Sequence, residues 1–393
     1  MMDNKLIQNI QGELARNGID GWLMYDFHAS NDIVVRFLNL SGIITRRSFY
    51  YIPASGTPTA FVHAIEKKPF QNLPGNKIYY SSYRILEEKL RQTIEGRRRL
   101  AMEYSPSGRL PYIGKVDAGT VELIRSFGVE IVSSANLVAK FDACLNDEQI
   151  ESHYRAAGHL FAIKDAAFSL IKKRVATDKK ITEYDVVHFM LDAFDKAGMV
   201  ADEPPICAVG ANGGNPHYVP TRDGAAEIVR DSLILIDLWA KSNAPHAVYA
   251  DITWMAFAGS ELPQLYADYF ALLCRARDEA VAYIKHNWGQ QRIYGYQVDD
   301  ICRGIIAQAG LDRYFTHRTG HSIAEQTHGP GPNIDNLETE DRRELMPGHL
   351  FSIEPGLYFD DYGFRTEIDV LITPDGPKIT QKPVQTEIVL LFA

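Results

Sequence analysis

The chain has 393 residues, 46% of them hydrophobic and 23% charged, with a formal net charge of −9. This is an ordinary globular composition, long enough to favour two domains. The acidic balance, with no basic run longer than Arg97-Arg98-Arg99, argues against a nucleic-acid partner. No uncharged apolar run approaches spanning length, and the first ten residues lack the apolar core of a signal peptide. The expectation is no membrane partner and a cytoplasmic location. Cys144, Cys207, Cys274 and Cys302 are widely spaced, form no zinc-type pair and are expected to be reduced thiols.

The first 140 residues alternate helix and strand signals. Leu6, Ile7, Ile10, Leu14 and Ala15 fall at helical spacing, and Asn17-Gly18 closes that helix. Residues 21–25 read as a buried strand. Residues 48–53 and 59–62 flank the turn Ala54-Ser55-Gly56-Thr57 and predict a hairpin. A boundary is expected near 142–147, giving an N-terminal domain over 1–143 and a second over 144–393. Asn146-Asp147-Glu148-Gln149 opens a long amphipathic helix to about Lys173. Residues 181–198, 262–286 and 297–309 predict three more helices. The strand-like runs of this half are 233–238, 247–253, 350–353 and 364–372.

Five possible metal ligands follow, four of them in these runs or beside them and the fifth, His321, on a loop. Asp237 lies in Ile-Asp-Leu, Asp251 in Ala-Asp-Ile-Thr, His321 in Thr-Gly-His-Ser, Glu354 in Ile-Glu-Pro-Gly and Glu367 in Phe-Arg-Thr-Glu. Asp237 and Asp251 flank a loop-rich stretch, and a hairpin there would bring them together. Glu354 and Glu367 stand at similar distances from the turn Asp360-Asp361-Tyr362-Gly363, so a hairpin sets them opposite each other. Cross-strand neighbours lie about 4.5–5.5 Å apart. Carboxylates that close repel unless a cation lies between them. Taken singly, each residue is more often a turn cap or a solvated acid. Four carboxylates and an imidazole together suit a pair of divalent cations that activates water.

These frames resemble the creatinase, prolidase and methionine aminopeptidase superfamily of metallopeptidases. The resemblance spans the chain. It implies an α/β (α+β) protein with a creatinase-like N-terminal domain. The C-terminal catalytic domain would have the pita-bread fold, an antiparallel sheet covered by helices. Gly214-Asn215-Pro216-His217-Tyr218 resembles the segment with the first substrate-facing histidine. His317-Arg318-Thr319-Gly320-His321 followed by His328 resembles the three-histidine spacing. The resemblance implies metal ligation by Asp237, Asp251, His321, Glu354 and Glu367, with Asp251 and Glu367 bridging. Asp237 would chelate one ion, and His321 and Glu354 would complete the other. It implies Glu354 as general base, His217 and His328 on the scissile carbonyl, and Arg365 orienting Asp237. Two divalent ions are expected, manganese by preference over cobalt, iron or zinc. A homodimer is expected on the same ground.

The length points to the proline-directed branch. The first expectation is a dipeptidase (prolidase) acting on a small peptide with proline in second position, and an X-prolyl aminopeptidase is the alternative. Arg47, Arg222 and Arg318 are candidates for the proline carboxylate. His317 is a pocket residue or a structural hydrogen-bonder, and His246 and His349 are expected at the surface or behind the ligands. Several positions depart from the family pattern. Trp239-Ala240 stands where a pair of small residues is usual, Ser322 and Ala324 replace glycines, and Gln326-Thr327 replaces an acidic-Val pair. These departures keep two further readings open: a creatinase-like hydrolase of a small non-peptide C–N bond, and a non-catalytic pita-bread binding protein.

Overall fold

The computed structural model describes residues 2–393. The chain folds as two compact units, one ending at Asp142 and the other spanning Ala143–Ala393. No helix among the described residues is long and apolar enough to cross a membrane.

In the first unit the elements are α1 (Asn4–Arg16), β1 (Gly21–Asp26), α2 (Asp32–Phe37), β2 (Ser48–Pro53), β3 (Thr59–His63), β4 (Asn76–Tyr80), α3 (Tyr83–Ile94), β5 (Arg99–Met102), α4 (Ala118–Arg125), β6 (Glu130–Ser133) and α5 (Ala135–Phe141). They build a six-stranded mixed sheet in the order β4-β3-β2-β1-β5-β6. The predicted hairpin is the antiparallel pair β2–β3. Every residue of β1 is buried, because alternate side chains enter two apolar clusters. Trp22 and Met24 go to one, and Leu23 and Tyr25 to the other. A strand buried on both faces needs helices on both faces.

The second unit opens with α6 (Asp147–Ala176), started by a capping box in which Asn146 and Gln149 satisfy each other's backbone N–H. Then follow α7 (Glu183–Lys196), β7 (Met199–Val200), β8 (Ile206–Val209), β9 (Leu233–Ser242), β10 (Ala250–Phe257), α8 (Gln264–Asn287) and α9 (Gly295–Gln308). The chain ends with β11 (Leu350–Ile353), β12 (Gly356–Tyr358), β13 (Gly363–Arg365), β14 (Ile368–Thr373), β15 (Gly376–Ile379) and β16 (Val389–Leu390). β9 and β10 form the antiparallel spine of the unit.

Strand alternation decides what each face of this spine does. Ile234, Ile236, Leu238, Ile252 and Trp254 pack under α6 and α7. Leu233, Leu235, Met255 and Phe257 pack with α8 and α9 on the other side. Asp237, Asp251 and Thr253 share the parity of this second set. They therefore emerge on the same face where its apolar packing ends. A spine covered by helices on both sides is the pita-bread fold. The run 364–372, expected as one strand, is broken. β13 pairs with β12 and β14 with β11, and Thr366 and Glu367 lie in the gap. The run 247–253 likewise enters strand only at Ala250.

Candidate metal centre

Backbone register brings the acids together. Asp237 pairs with Thr253 and Asp251 with Trp239, so the two aspartates lie one step apart on neighbouring strands. Ile353 pairs with Ile368 and Gly356 with Arg365. The same register carried across the gap sets Glu354 opposite Glu367. His321 is stitched to β11: its carbonyl accepts from the Ser352 N–H at 2.9 Å, and its N–H donates to Ser352 Oγ at 2.9 Å. Gly320 is required here, since a Cβ would collide with the Ser352 carbonyl.

Ligand atoms of Asp251, His321 and Glu367 lie within 4.8 Å of one another, and all three residues are buried. The Nδ1–H of His321 faces the Ser322 carbonyl at 3.2 Å, which leaves Nε2 with its lone pair. That nitrogen is 3.4 Å from Glu354 Oε1 and 3.6 Å from Asp251 Oδ2. Burial, followed by the charge of Arg318, depresses His321 to about 3, so the ring is neutral near pH 7.

The carboxylates are only half satisfied. Arg365 pairs with Asp237 Oδ2, Thr253 donates to Glu367 Oε2 at 2.9 Å, and Ser352 donates to Glu354 Oε1 at 3.0 Å. Asp237 Oδ1, Asp251 Oδ1 and Glu367 Oε1 are buried with no hydrogen-bond partner. Burial raises all three carboxyl groups above their ordinary values. The charge of Glu354 adds to this at Asp237, and so do Glu367 and Asp237 at Asp251, and Glu354 and Asp237 at Glu367. Buried anionic oxygens without donors are costly. Oxygen ligands plus one imidazole lone pair are the donor set that divalent cations take, so the residues fit such ions.

Around this cluster lie groups that single residue frames did not reveal. Arg365 uses its whole fork, with Nε on Thr253 Oγ1 at 3.0 Å and Nη1 on Tyr358 Oη at 3.1 Å besides the Asp237 pair. Tyr358 donates to His317 Nε2 at 2.7 Å, since His317 Nδ1–H is held by the Arg318 carbonyl at 2.7 Å. His317 is thus placed as a hydrogen-bonder behind the ligands. Asp369 is fully buried, and its Oδ2 accepts from the Asp251 N–H at 2.9 Å and from Gln381. Nothing in a lone aspartate two residues past a glutamate signals that contact.

The histidines expected to touch substrate differ in setting. The His328 ring meets the His321 ring edge-on at 4.4 Å between centroids. Although His328 is exposed at the surface, the charge of His321 and then the surrounding chain depress it to about 3. His217 is exposed, and among the described residues no hydrogen bond to its ring is found. Its loop is anchored at both ends, however. Gly214 and Gly363 let the loop lie against the 359–363 turn, where a Cβ on either would collide with backbone. Glu183 on α7 accepts from Val209 N–H (2.7 Å), Asn212 Nδ2 (3.0 Å), Tyr218 Oη (2.6 Å) and Ala226 N–H (2.8 Å). Arg318 is half-buried beside His321 and His328, 3.6 Å from Glu338. Arg222 is exposed, and Arg47 belongs to the first unit. His246 is exposed and bonds Glu325 at 2.9 Å. His349, expected at the surface or behind the ligands, is buried, with Nδ1 accepting from the Met346 N–H at 3.1 Å.

Residues 153–374 match the model of metallopeptidase family M24. The chain belongs to that family, which places it in the class of metal-dependent hydrolases. An uncharacterised peptidase of Staphylococcus saprophyticus is 26% identical over 258 residues, 65% of this chain and 67% of the relative. A protein of Mycobacterium tuberculosis described as a probable dipeptidase PepE is 29% identical over 196 residues. That match covers 50% of this chain and about half, 48%, of the relative. Among solved structures, dipeptidase PepE from Mycobacterium ulcerans has a TM-score of 0.71 at 20% identity, covering 99% of this chain and 98% of that one. Prolidase from Thermococcus sibiricus has 0.66 at 21%, covering 99% and 100%. The N-terminal domain of FACT complex subunit SPT16 from chickpea has 0.68 at 13%, covering 98% and 97%. At these identities the structures share the fold.

Proposed function

We propose that this chain hydrolyses Xaa-Pro dipeptides with the help of two divalent cations held by Asp237, Asp251, His321, Glu354 and Glu367. The observation that carries this reading is the set of three buried, unpartnered carboxylate oxygens on Asp237, Asp251 and Glu367. A surface that bound only a partner protein would have no reason to keep them. Manganese is the preferred occupant, because oxygen donors outnumber nitrogen.

Cations bound there supply Lewis-acid activation of water near neutral pH. The chain's own groups do the rest. Glu354 is half-buried at the edge of the cluster, oriented by Ser352 through Oε1 and by its N–H on the Thr319 carbonyl at 2.7 Å. It is placed to take the proton of the attacking water and return it to the leaving proline nitrogen. His328, neutral, offers an N–H to the scissile carbonyl as charge develops there; one such donor is worth roughly 3–4 kcal/mol in the transition state. His217 has the same role by its sequence frame alone. Arg318, whose charge acts on both His321 and His328, would bind the free carboxylate of a dipeptide's proline. That pairing favours the dipeptidase over the aminopeptidase reading. The dipeptidase and prolidase relatives in fold agree with it.

The test is a metal-supplemented assay of Ala-Pro against a longer Xaa-Pro peptide, with metal content measured alongside. Cleavage of Ala-Pro is expected, and Arg318→Ala should raise its KM. Cleavage of the longer peptide alone would reject the dipeptidase assignment in favour of an aminopeptidase.

A further inference from the structure

We propose that Trp239, pinned by Asp202, is a specificity-determining wall that restricts the substrate residue lying beside Asp251 to a small side chain. The proposal rests on the peptidase reading above. Trp239 follows Asp237 by two residues on β9, so both side chains leave the same face of the strand. Its register partner on β10 is Asp251. The ring therefore stands on the cluster's face, directly across from Asp251.

The ring is also held in place. Its Nε1–H donates to Asp202 Oδ1 at 2.9 Å. The hydroxyl of Thr327 reaches the same carboxylate, 2.9 Å from Oδ2 and 3.0 Å from Oδ1. Thr327 precedes His328, whose ring lies against His321. One carboxylate thus ties the strand of Asp237 to the loop of His328. Trp239 is half-buried, with one side packed on two apolar clusters and the remainder bordering open space. Lys241, two residues further along the same face, donates to the Glu325 carbonyl at 2.5 Å and puts a positive charge near Asp202. A peptide with its carbonyl at His328 and its first residue along Asp251 meets this fixed indole. A tethered ring cannot swing aside for a large side chain.

The test uses the full-length, manganese-supplemented protein and two panels. In the first, kcat/KM is measured on Gly-Pro, Ala-Pro, Leu-Pro and Phe-Pro. The wild type should lose at least ~10-fold from Ala-Pro to Phe-Pro, the scale on which a pocket discriminates by size. Trp239→Ala should recover most of that loss, Trp239→Phe should retain the preference, and Asp202→Ala should relax it partway. In the second, calorimetry measures binding of glycine, leucine and phenylalanine hydroxamates, which need no cleavage. Tighter binding of the small hydroxamate, lost in Trp239→Ala, supports the proposal even if no prolyl peptide is cleaved, in which case only the prolyl reading falls. Cleavage with an Ala-Pro to Phe-Pro ratio unchanged by Trp239→Ala overturns the proposal and leaves that reading standing. Uniform hydroxamate affinity in the wild type overturns it as well. If Trp239→Ala does not fold, Asp202→Ala decides, because it removes the acceptor of the indole N–H and frees the ring without removing it.

Discussion

His321 Nε2 and Glu354 Oε1 lie 3.4 Å apart, with the ring's other nitrogen committed to the Ser322 carbonyl. A lone pair and a carboxylate oxygen at that distance repel, and nothing in the protein chain lies on hand to reconcile them except a proton or a cation. Emptying the position should therefore be decisive. His321→Ala or Asp251→Ala is expected to lose bound metal and to abolish turnover. Metal content measured beside activity checks this. A metal-depleted variant with full activity would refute the scheme.

Cation binding should release protons. Burial raises the carboxyl groups of Asp237, Asp251 and Glu367, so without a cation the set holds its protons to higher pH than free carboxylates do. Divalent ions bind the deprotonated forms. Affinity is thus expected to fall as pH falls. Titrating metal calorimetrically in two buffers of different ionisation enthalpy measures the protons released, and a buffer-independent enthalpy would contradict the argument.

Arg365→Lys should behave as a severe change. The guanidinium reaches Asp237, Thr253 and Tyr358 at once, and an ammonium cannot reproduce that planar fork. Misorienting a ligand through its supporting group costs about 10–100-fold in metal affinity or activity. Wild-type affinity in this variant would show that Asp237 needs no such support.

Glu103 gives the first unit its own pH dependence. It is fully buried, accepting from Trp22 Nε1 at 2.6 Å and Asn31 Nδ2 at 3.2 Å, and burial raises it from 4.5 to about 7. In the unfolded chain it ionises near 4.5, whereas in the fold it stays protonated to about 7. Its stabilising contribution is therefore complete below pH 4.5 and is lost as pH rises to about 7, on the order of 3 kcal/mol. Urea melts should show Glu103→Gln gaining on the wild type by about that amount across this window. A difference that does not vary with pH would sink the assignment.

Glu183→Ala should loosen the His217 loop from two sides. It strands the donors at Val209, Asn212, Tyr218 and Ala226, each buried orphan costing about 1–3 kcal/mol. A lower melting temperature and a raised KM are expected together. An unchanged KM in a folded variant would separate the loop from substrate binding.

The helices were legible because they carry local marks. The Asn146–Gln149 capping box and the Thr182–Asp185 box announce α6 and α7 before any packing is known. The spine strands were legible through their apolar runs, and the break at Thr366-Glu367 was not. Phe364, Ile368, Val370 and Ile372 share one parity, and Thr366 between them is an ordinary strand residue, so the alternation does not mark the point where one strand hands over to another. Asp369, Tyr358, Thr253 and Asp202 were missed for a related reason. Their contacts lie 7 to 125 positions away by chain or across strands, and no local spacing encodes them.

By itself the sequence determined which residues are candidates for the chemistry. Acids and an imidazole in defined frames, with a loop-rich stretch between Asp237 and Asp251, already predict a hairpin that brings those two together. Only the tertiary structure decided how those groups meet. Register across a strand gap faces Glu354 with Glu367, a glycine lets His321 approach Ser352, and Arg365 occupies one oxygen of Asp237 while the other is left bare. The physical reason is that spacing along a chain sets direction, whereas closeness between distant segments depends on packing that no short stretch contains.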